Sequence, residues 1–485
     1  MRLTHRPLTL SDRRTRFAVV AGLALLTAIV GVVVHLVVRR GFLDNMDERN
    51  YLWLAHRMLE GRVTAEPIPS SLWNHCWVYW RGLAIDGSLF THYPAIWPAQ
   101  LAVGAALGAP WIVSPLLAGG TVILVYLLVA SLYKDRVVAL CAASMVALCP
   151  FVTFQAGTLL SHVSTAFWLL AGALSLVMAS DRPQWVWPIA AGIFFGFAFS
   201  ARPLDAIAVA APVIAGFAIA RRDETKRLTG KFALVVGGGV VGLLPFFLYN
   251  KRISGSYLTP TMTLLGGTKW VDSAASWTAN LTLTRAALSS WDTWFLPAWL
   301  VAAVWIWLLT RHRANRIDVL CGVVAISVVA GYSLYAIRYD IAGPRFHFMV
   351  LYPALILCAR LAVSFGRRVM TGLIVATICY FGFLHVQRAA QMHRDMGRKR
   401  ALDEAVERAG IKQAIVFIPD GFPFGIYARD LLNNSPDFHG VVYAIDLGRS
   451  NESVRERFPA LPAYRWSGDA SDWPGKLLRY EDQDR

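Results

Sequence analysis

The stretch FAVVAGLALLTAIVGVVVHLVV, residues 17–38, is an apolar run with a single histidine near its end. A helix needs about 20 apolar residues to cross a bilayer, so this run predicts a membrane span. It is followed at once by RRGFLDNMDERNY, residues 39–51, where the acidic side chains of Asp44, Asp47 and Glu48 gather. Acidic groups at a membrane boundary are costly unless they face water, a substrate or a partner. The pattern suggests a base that acts on a substrate delivered by the membrane.

The composition of the whole chain agrees with a membrane protein. Of its 485 residues, 56% are hydrophobic and only 16% are charged, whereas a soluble domain of ordinary composition carries about 25% charged residues. The net charge of +16 is concentrated in short loops between apolar runs, which is typical of a topology signal. The sequence contains no nucleic-acid-binding motif, so the charge does not indicate that class of partner.

The apolar runs predict an all-α polytopic membrane protein with about eleven spans. Basic residues before the first run place residues 1–16 in the cytoplasm by the positive-inside rule. Arg39 and Arg40 at the far end of that run oppose this orientation locally, but the later basic loops support it. Counted from an inside start, the predicted spans are 17–38, 112–133, 137–155, 162–180, 185–201, 204–220, 232–250, 293–310, 317–337, 345–360 and 368–386.

The segments outside the spans give the predicted domain organisation. A membrane domain covers residues 17–387 and has a long first outside loop at 39–111, in which the short apolar stretch 94–109 is interpreted as an interfacial helix. A second outside loop, about 251–292, is rich in tryptophan. Residues 388–485 are polar, with strand-like runs at 414–418 and 441–445, and predict a small soluble α/β domain. An odd number of spans places that domain outside.

The cysteines and histidines of the outside loops do not predict a metal site or a disulfide framework. The sequence has six cysteines and no CxxC pair, and most of them lie in or beside apolar runs, as small core residues do. His75, Cys76 and His92 in the first loop match no standard ligand spacing. We therefore expect no cofactor, and no constellation of metal ligands is evident. The first span lacks a following cleavage site, so we expect it to be retained as an anchor.

Asp47 is the strongest candidate for a catalytic group. Asp47, Tyr51, Leu54 and Met58 recur on one helical face, which predicts a helix beginning near Asp47 with the acid in its first turn. The alternative is a capping carboxylate worth about 1 kcal/mol. At a membrane surface, such a carboxylate can accept a proton from an attacking hydroxyl. Glu48 points to another side of the helix and is better placed to orient backbone or water.

Four basic or titratable side chains form a second group of candidates near the predicted outer surface: His92, His162, Arg202 and Arg345. The guanidinium group is well suited to a phosphate clamp. The alternatives are that the arginines extend to lipid headgroups, that Asp205 only pairs with Arg202, and that the histidines are satisfied structural residues.

Several of these residues stand in an order that resembles the GT-C superfamily of membrane glycosyltransferases. The bacterial members related to protein mannosyltransferases and to lipid A aminoarabinose transferases are the most similar. The resemblance covers most of residues 15–386. Its landmarks include Asp47-Glu48-x-x-Tyr51, His92-Tyr93-Pro94-x-x-Trp97-Pro98, Leu132-Tyr133-Lys134-Asp135-Arg136, Leu160-Ser161-His162, Ser200-Ala201-Arg202-Pro203, Tyr249-Asn250-x-x-x-x-Gly255 and Gly343-Pro344-Arg345. His92 occupies a place where a lysine is common in the family.

The resemblance implies an inverting transfer of a sugar from a polyprenyl-phosphate carrier to a lipid, glycan or protein acceptor, at the outer face of the bacterial inner membrane. Asp47 would be the general base, with Glu48 beside it as a second catalytic residue. The remaining candidates would bind substrate: Asp44, Tyr51, His92, Tyr93, His162, Arg202 and Arg345. The Trp-Trp-Asp motif of oligosaccharyltransferases is not matched by Trp291-Asp292, which lacks its context.

Two other functional classes remain open from the sequence. A transporter or flippase usually carries ionisable residues near the bilayer midplane and often shows internal repeats, whereas the polar residues here gather at one face. A non-catalytic component of envelope polysaccharide assembly would use Asp47 only as a cap. The sequence leaves the sugar, the acceptor, the carrier length, metal dependence, the role of the C-terminal domain and the oligomeric state undefined.

Overall fold

A computed structural model of the protein describes residues 13–43, 45–67, 69–75, 81–220, 225–264, 272–290, 295–311, 314–335, 344–419, 440–467 and 475–480. In chain order the helices are α1 Arg13–Val33, α2 Met46–Leu59, α3 Ser70–Trp73, α4 Ile96–Ala106, α5 Val113–Tyr133, α6 Arg136–Leu148, α7 Pro150–Ala156, α8 His162–Asp181, α9 Val186–Ala201, α10 Pro203–Ala220, α11 Thr225–Ser254, α12 Thr261–Leu264, α13 Ala274–Ser289, α14 Ala298–Thr310, α15 Arg316–Ser333, α16 Leu351–Ser364, α17 Arg367–Lys399, α18 Ala401–Arg408 and α19 Glu452–Arg457. The strands are β1 Arg81–Leu83, β2 Leu89–Thr91, β3 Ala414–Pro419, β4 Val441–Asp446, β5 Ala463–Trp466 and β6 Leu477–Arg479.

The predicted all-α membrane architecture is confirmed. Among the described residues, eight helices are long and apolar enough to span a membrane, and the bent pair α6–α7 makes a ninth. The predicted total of about eleven also counted α9 and α14, which are apolar but shorter. The stretch interpreted as an interfacial helix is the short helix α4. The predicted second outside loop contains α12 and α13, and only Trp277 of its tryptophans lies within the described residues.

The bend between α6 and α7 measures 55° and has a local cause. Cys149 is in an extended conformation and Pro150 follows it as the first residue of α7. Proline has no amide hydrogen to continue the hydrogen bonding of the preceding helix, so the chain changes direction here. The bend brings residues 157–162 to the first outside loop.

Helices α9 and α11 approach closely because glycines line both of them. A Cβ atom at Gly238 would lie 2.2 Å from the carbonyl oxygen of Ile189, and one at Gly242 would lie 2.4 Å from that of Ile193. Small residues at helix contacts allow this approach in membranes, where packing replaces hydrophobic burial as the driving force. The pair fixes the place of Arg202, which follows α9.

The predicted first outside loop, residues 39–111, packs on the helix ends through α2 and α4. The side chain of Asn45 accepts a hydrogen bond from the amide of Asp47 (2.8 Å), so Asn45 caps α2. The capping alternative for Asp47 is therefore wrong, while the expectation that Asp47 lies in the first turn is confirmed. The indole of Trp97 in α4 donates to the carbonyl of Leu159 (2.7 Å).

The C-terminal region is a four-stranded sheet in the order β4-β3-β5-β6, with β3 parallel to both of its neighbours. The central strand β3 and the edge strand β4 agree with the strand-like runs of the sequence. The first loop docks on this sheet. Ring nitrogens of His75 lie 2.9 and 3.0 Å from the carbonyl oxygens of Ile445 and Ser450.

Candidate active site

The carboxylate of Asp47 is held by two partners that come from distant parts of the chain. The phenol of Tyr93 donates a short hydrogen bond to Oδ1, and Nη1 of Arg345 lies 2.9 Å from Oδ2. The Asp47 side chain keeps 20% of its surface accessible, while that of Arg345 keeps 6%. Asp47 is thus fixed in direction but reachable from outside, as a base must be.

Two tyrosines form the wall beside this carboxylate. The rings of Tyr51 and Tyr93 lie 4.6 Å apart, and the Tyr51 hydroxyl is 3.2 Å from Oγ of Ser161. Burial raises the pKa of Tyr51 to about 12, and the negative charge of Asp47 adds to the shift. Burial also raises the pKa of Tyr93 well above its ordinary value, with the charge of Asp47 as the next cause. Both phenols therefore remain protonated and serve as hydrogen-bond donors.

Arg202 and Arg345, which are 143 positions apart in the sequence, meet at the ring of Phe346. Their guanidinium carbons lie 5.9 and 5.2 Å from its centroid. Arg202 is anchored by Asp205, which accepts from its Nε, and by the hydroxyl of Tyr332 at 3.0 Å. Its pairing with Asp205, one of the alternatives left open by the sequence, is therefore present. The two guanidinium groups give the site fixed positive charge next to Asp47.

His92 and His162 are both buried near these charged groups. Burial lowers the pKa of His92 to about 4, and the charge of Asp47 opposes this only in part. His92 is accordingly neutral at pH 7 and can donate one hydrogen bond without contributing charge. His162, at the first position of α8, is 1% exposed, and neither of its ring nitrogens has a hydrogen-bond partner within the described residues. A buried imidazole of this kind is suited to a polar ligand.

Glu48 occupies a different environment from Asp47. Its oxygens accept from Nη1 and Nη2 of Arg39 (2.8 and 2.6 Å), and Oε1 also accepts from the amide of Leu159 (2.7 Å). Glu48 has no exposed surface. The sequence grouped Glu48 with Asp47 as catalytic, but these contacts support the expectation that it orients backbone. Asp44, the third acidic candidate, lies outside the described residues.

The structure thus brings together most of the candidates from the sequence: Asp47, Tyr51, His92, Tyr93, His162, Arg202 and Arg345. Sequence reasoning missed Tyr332 and Arg39. Tyr332 lies in an apolar run where a tyrosine gives no signal, and Arg39 was treated only as an exception to the charge rule. The spacing of Arg39 and Glu48 at a membrane boundary was the available signal. No group of three or more metal-ligating side chains occurs within the described part of the chain.

The chain is similar to a known protein family and to solved structures. Residues 95–249 match the model of the dolichyl-phosphate-mannose-protein mannosyltransferase family. No curated protein matches the sequence. ArnT from Cupriavidus metallidurans in the apo state is similar in structure, with a TM-score of 0.57 at 14% identity over 94% of this chain and 97% of that one.

Two further solved structures are similar. ArnT bound to undecaprenyl phosphate has a TM-score of 0.56 at 13% identity, over 96% of this chain and 98% of that one. The Archaeoglobus fulgidus oligosaccharyltransferase tethered with an acceptor peptide has a TM-score of 0.55 at 12% identity. That match covers 87% of this chain but only 63% of the archaeal one. Trp291 and Asp292 lie outside the described residues. The chain is a multi-pass membrane protein with the fold of the GT-C glycosyltransferases.

Proposed function

We propose that the protein is an inverting glycosyltransferase. It moves a sugar from a polyprenyl-phosphate-linked donor to a lipid, glycan or protein acceptor at the outer face of the membrane. The observation that carries the proposal is the carboxylate of Asp47, held by Tyr93 and Arg345 and accompanied by a second arginine. A base beside a cluster of cations and neutral donors is suited to breaking a bond to phosphate.

The chemistry follows from the position of these groups. An acceptor hydroxyl loses its proton to Asp47 as its oxygen attacks the anomeric carbon from the side opposite the phosphate. The bond between that carbon and the phosphate oxygen breaks, and its electrons stay with the departing carrier phosphate. Asp47 ends protonated, and the carrier gains one negative charge. A single displacement of this kind inverts the configuration of the sugar.

Arg202 and Arg345 stabilise the charge that develops on the phosphate, because fixed cations in a site with little water act strongly on nearby charge. The neutral side chains of Tyr51, His92 and His162 supply hydrogen bonds without adding charge. Asp205 offsets part of the positive charge of Arg202. The similarity to ArnT, solved with undecaprenyl phosphate, and the mannosyltransferase family match both support a polyprenyl-phosphate donor.

The decisive experiment compares the wild-type protein with Asp47→Asn in nanodiscs, using a panel of radiolabelled undecaprenyl-phosphate sugars. Loss of a general base lowers rates by about 10² to 10⁴-fold. We expect release of carrier phosphate from one donor to fall by that amount, while binding of undecaprenyl phosphate is retained. Turnover by Asp47→Asn at the wild-type rate would contradict the role of Asp47. If the folded protein binds no donor and turns none over, the result would favour a transporter or a scaffold.

A further inference from the structure

Arg39 and Glu48 form a buried ion pair directly beside the candidate base. Their side chains are 1% and 0% exposed, and two nitrogen–oxygen contacts of 2.8 and 2.6 Å join them. Arg39 also donates to the carbonyl of Gly157 (3.0 Å), while Glu48 accepts from the amide of Leu159. The pair therefore joins three segments: the end of the first span, the start of α2 and the turn at 157–159.

The approach of these segments depends on a glycine. A Cβ atom at Gly157 would lie 2.4 Å from Cγ1 of Val34. Val34 begins a π-helical turn, Val34–Val38, that ends the first span and directs Arg39 toward the 157–159 turn. His35 in that turn lies 3.1 Å from the same Gly157 carbonyl oxygen. The junction is thus built by backbone geometry as well as by charge.

A buried ion pair is weak support for the stability of a fold. Removing two charges from water costs several kcal/mol for each ion, which their attraction offsets only when the geometry is good. The role of the pair is better understood from geometry. Successive side chains on a helix differ by about 100° in direction. Holding Glu48 therefore fixes the rotation of α2 about its axis, and this sets the side of the helix from which Asp47 reaches Tyr93 and Arg345.

We infer that Arg39 is a positioning residue, which acts through Glu48 to hold Asp47 in the orientation required of a base. This inference rests on the proposed function. Arg39 contacts Glu48 and the carbonyl of Gly157, and Glu48 directly follows Asp47 in α2. The pair therefore determines the rate of the chemical step rather than the affinity for the lipid carrier, which Arg202 and Arg345 provide in the proposed site.

The test uses the full-length protein in nanodiscs and the variants Arg39→Gln, Arg39→Lys and Glu48→Gln. We measure kcat with the donor that the wild type turns over, and the affinity for undecaprenyl phosphate. Arg39→Gln and Glu48→Gln should each lower kcat tenfold or more, with the affinity for undecaprenyl phosphate changed less than twofold. Arg39→Lys keeps the charge but not the two-pronged geometry, so it should recover part of the lost rate.

The matched control is Arg62→Gln in the same loop, because the guanidinium of Arg62 pairs with Glu60 at the surface and is 56% exposed. We expect this variant to retain wild-type kcat. Loss of carrier affinity in parallel with kcat, or wild-type kcat in Arg39→Gln, would overturn the inference. The proposed function fails separately, if Asp47→Asn keeps full activity. If Asp47→Asn is inactive and Arg39→Gln is fully active, only the positioning role fails.

Discussion

Arg345 takes part in both functions of the proposed site, which are to restrain the base and to hold the donor phosphate. It contacts Asp47 and shares the ring of Phe346 with Arg202. A donor phosphate that binds Arg202 therefore lies near Arg345 as well. This position makes Arg345 a candidate for both holding the donor and restraining the base before the donor arrives.

Substitution of Arg345 by alanine should raise the apparent KM for the lipid donor by about tenfold or more, because a charge-assisted hydrogen bond contributes about 1.5–3 kcal/mol. Initial rates over a range of donor concentrations would measure the change. Arg252→Ala is the control, since Arg252 in the last turn of α11 pairs with Asp86 at the exposed surface. Donor kinetics that are unchanged in Arg345→Ala would remove Arg345 from the phosphate site.

The burial of His92 predicts that the stability of the protein depends on pH. Its pKa is lowered by burial to about 4, so between pH 6.5 and 4 the unfolded chain takes up a proton that the folded protein does not. Stability is therefore complete above pH 6.5 and is lost as the pH falls. The loss from this residue reaches about 2 kcal/mol at pH 5.

His92→Gln removes the titrating group and should be less sensitive to acid. The measurement is the midpoint of thermal unfolding at pH 7 and at pH 5, for the wild type and the variant in the same detergent. We expect the midpoint to fall more steeply in the wild type. Equal decreases in the two proteins would show that His92 is not buried in its neutral form.

At the scale of elements, the contact between α9 and α11 offers a test with a control on the same helix. A Cβ atom at Gly238 would lie 2.2 Å from a backbone oxygen of α9, whereas one at Gly237 would have no neighbour within 4 Å. Gly238→Ala should destabilise the protein by about 1–3 kcal/mol through overpacking. Gly237→Ala should be neutral or slightly stabilising. Thermal unfolding midpoints would compare them, and equal values would contradict the close packing.

Elements were predicted from the sequence far better than their contacts. The apolar runs located the membrane helices, because a bilayer imposes a length and a composition on each span. The acid in the first turn of α2 was also foreseen, although Asn45 proved to be the cap. The sequence did not predict that Arg39 pairs with Glu48, or that both contact residues 157–159. These contacts depend on how distant segments pack. Tyr332 joins the site for the same reason.

For the whole molecule, the count of spans makes a prediction about sidedness. Among the described residues, eight long helices and the bent pair give nine crossings, and the two shorter helices α9 and α14 bring the total to eleven. Both numbers are odd, so a cytoplasmic N-terminus places the C-terminal sheet outside. If the C-terminus is outside, alkaline phosphatase fused to it should be active. A green fluorescent protein fused at the same place should not fluoresce. The opposite pair of results would reverse the topology.

The length of α17 links the bilayer to residues near the candidate site. Its 33 residues extend for about 50 Å, while the hydrocarbon core is about 30 Å thick. His393, near the C-terminal end of α17, lies 2.9 Å from Nη2 of Arg40, and Arg40 is the neighbour of Arg39. A bilayer of different thickness changes the tilt of a long helix. The polar residues after 386 carry α17 beyond the hydrocarbon core, so a change in its tilt acts on the contact between His393 and Arg40, one residue from the Arg39–Glu48 pair.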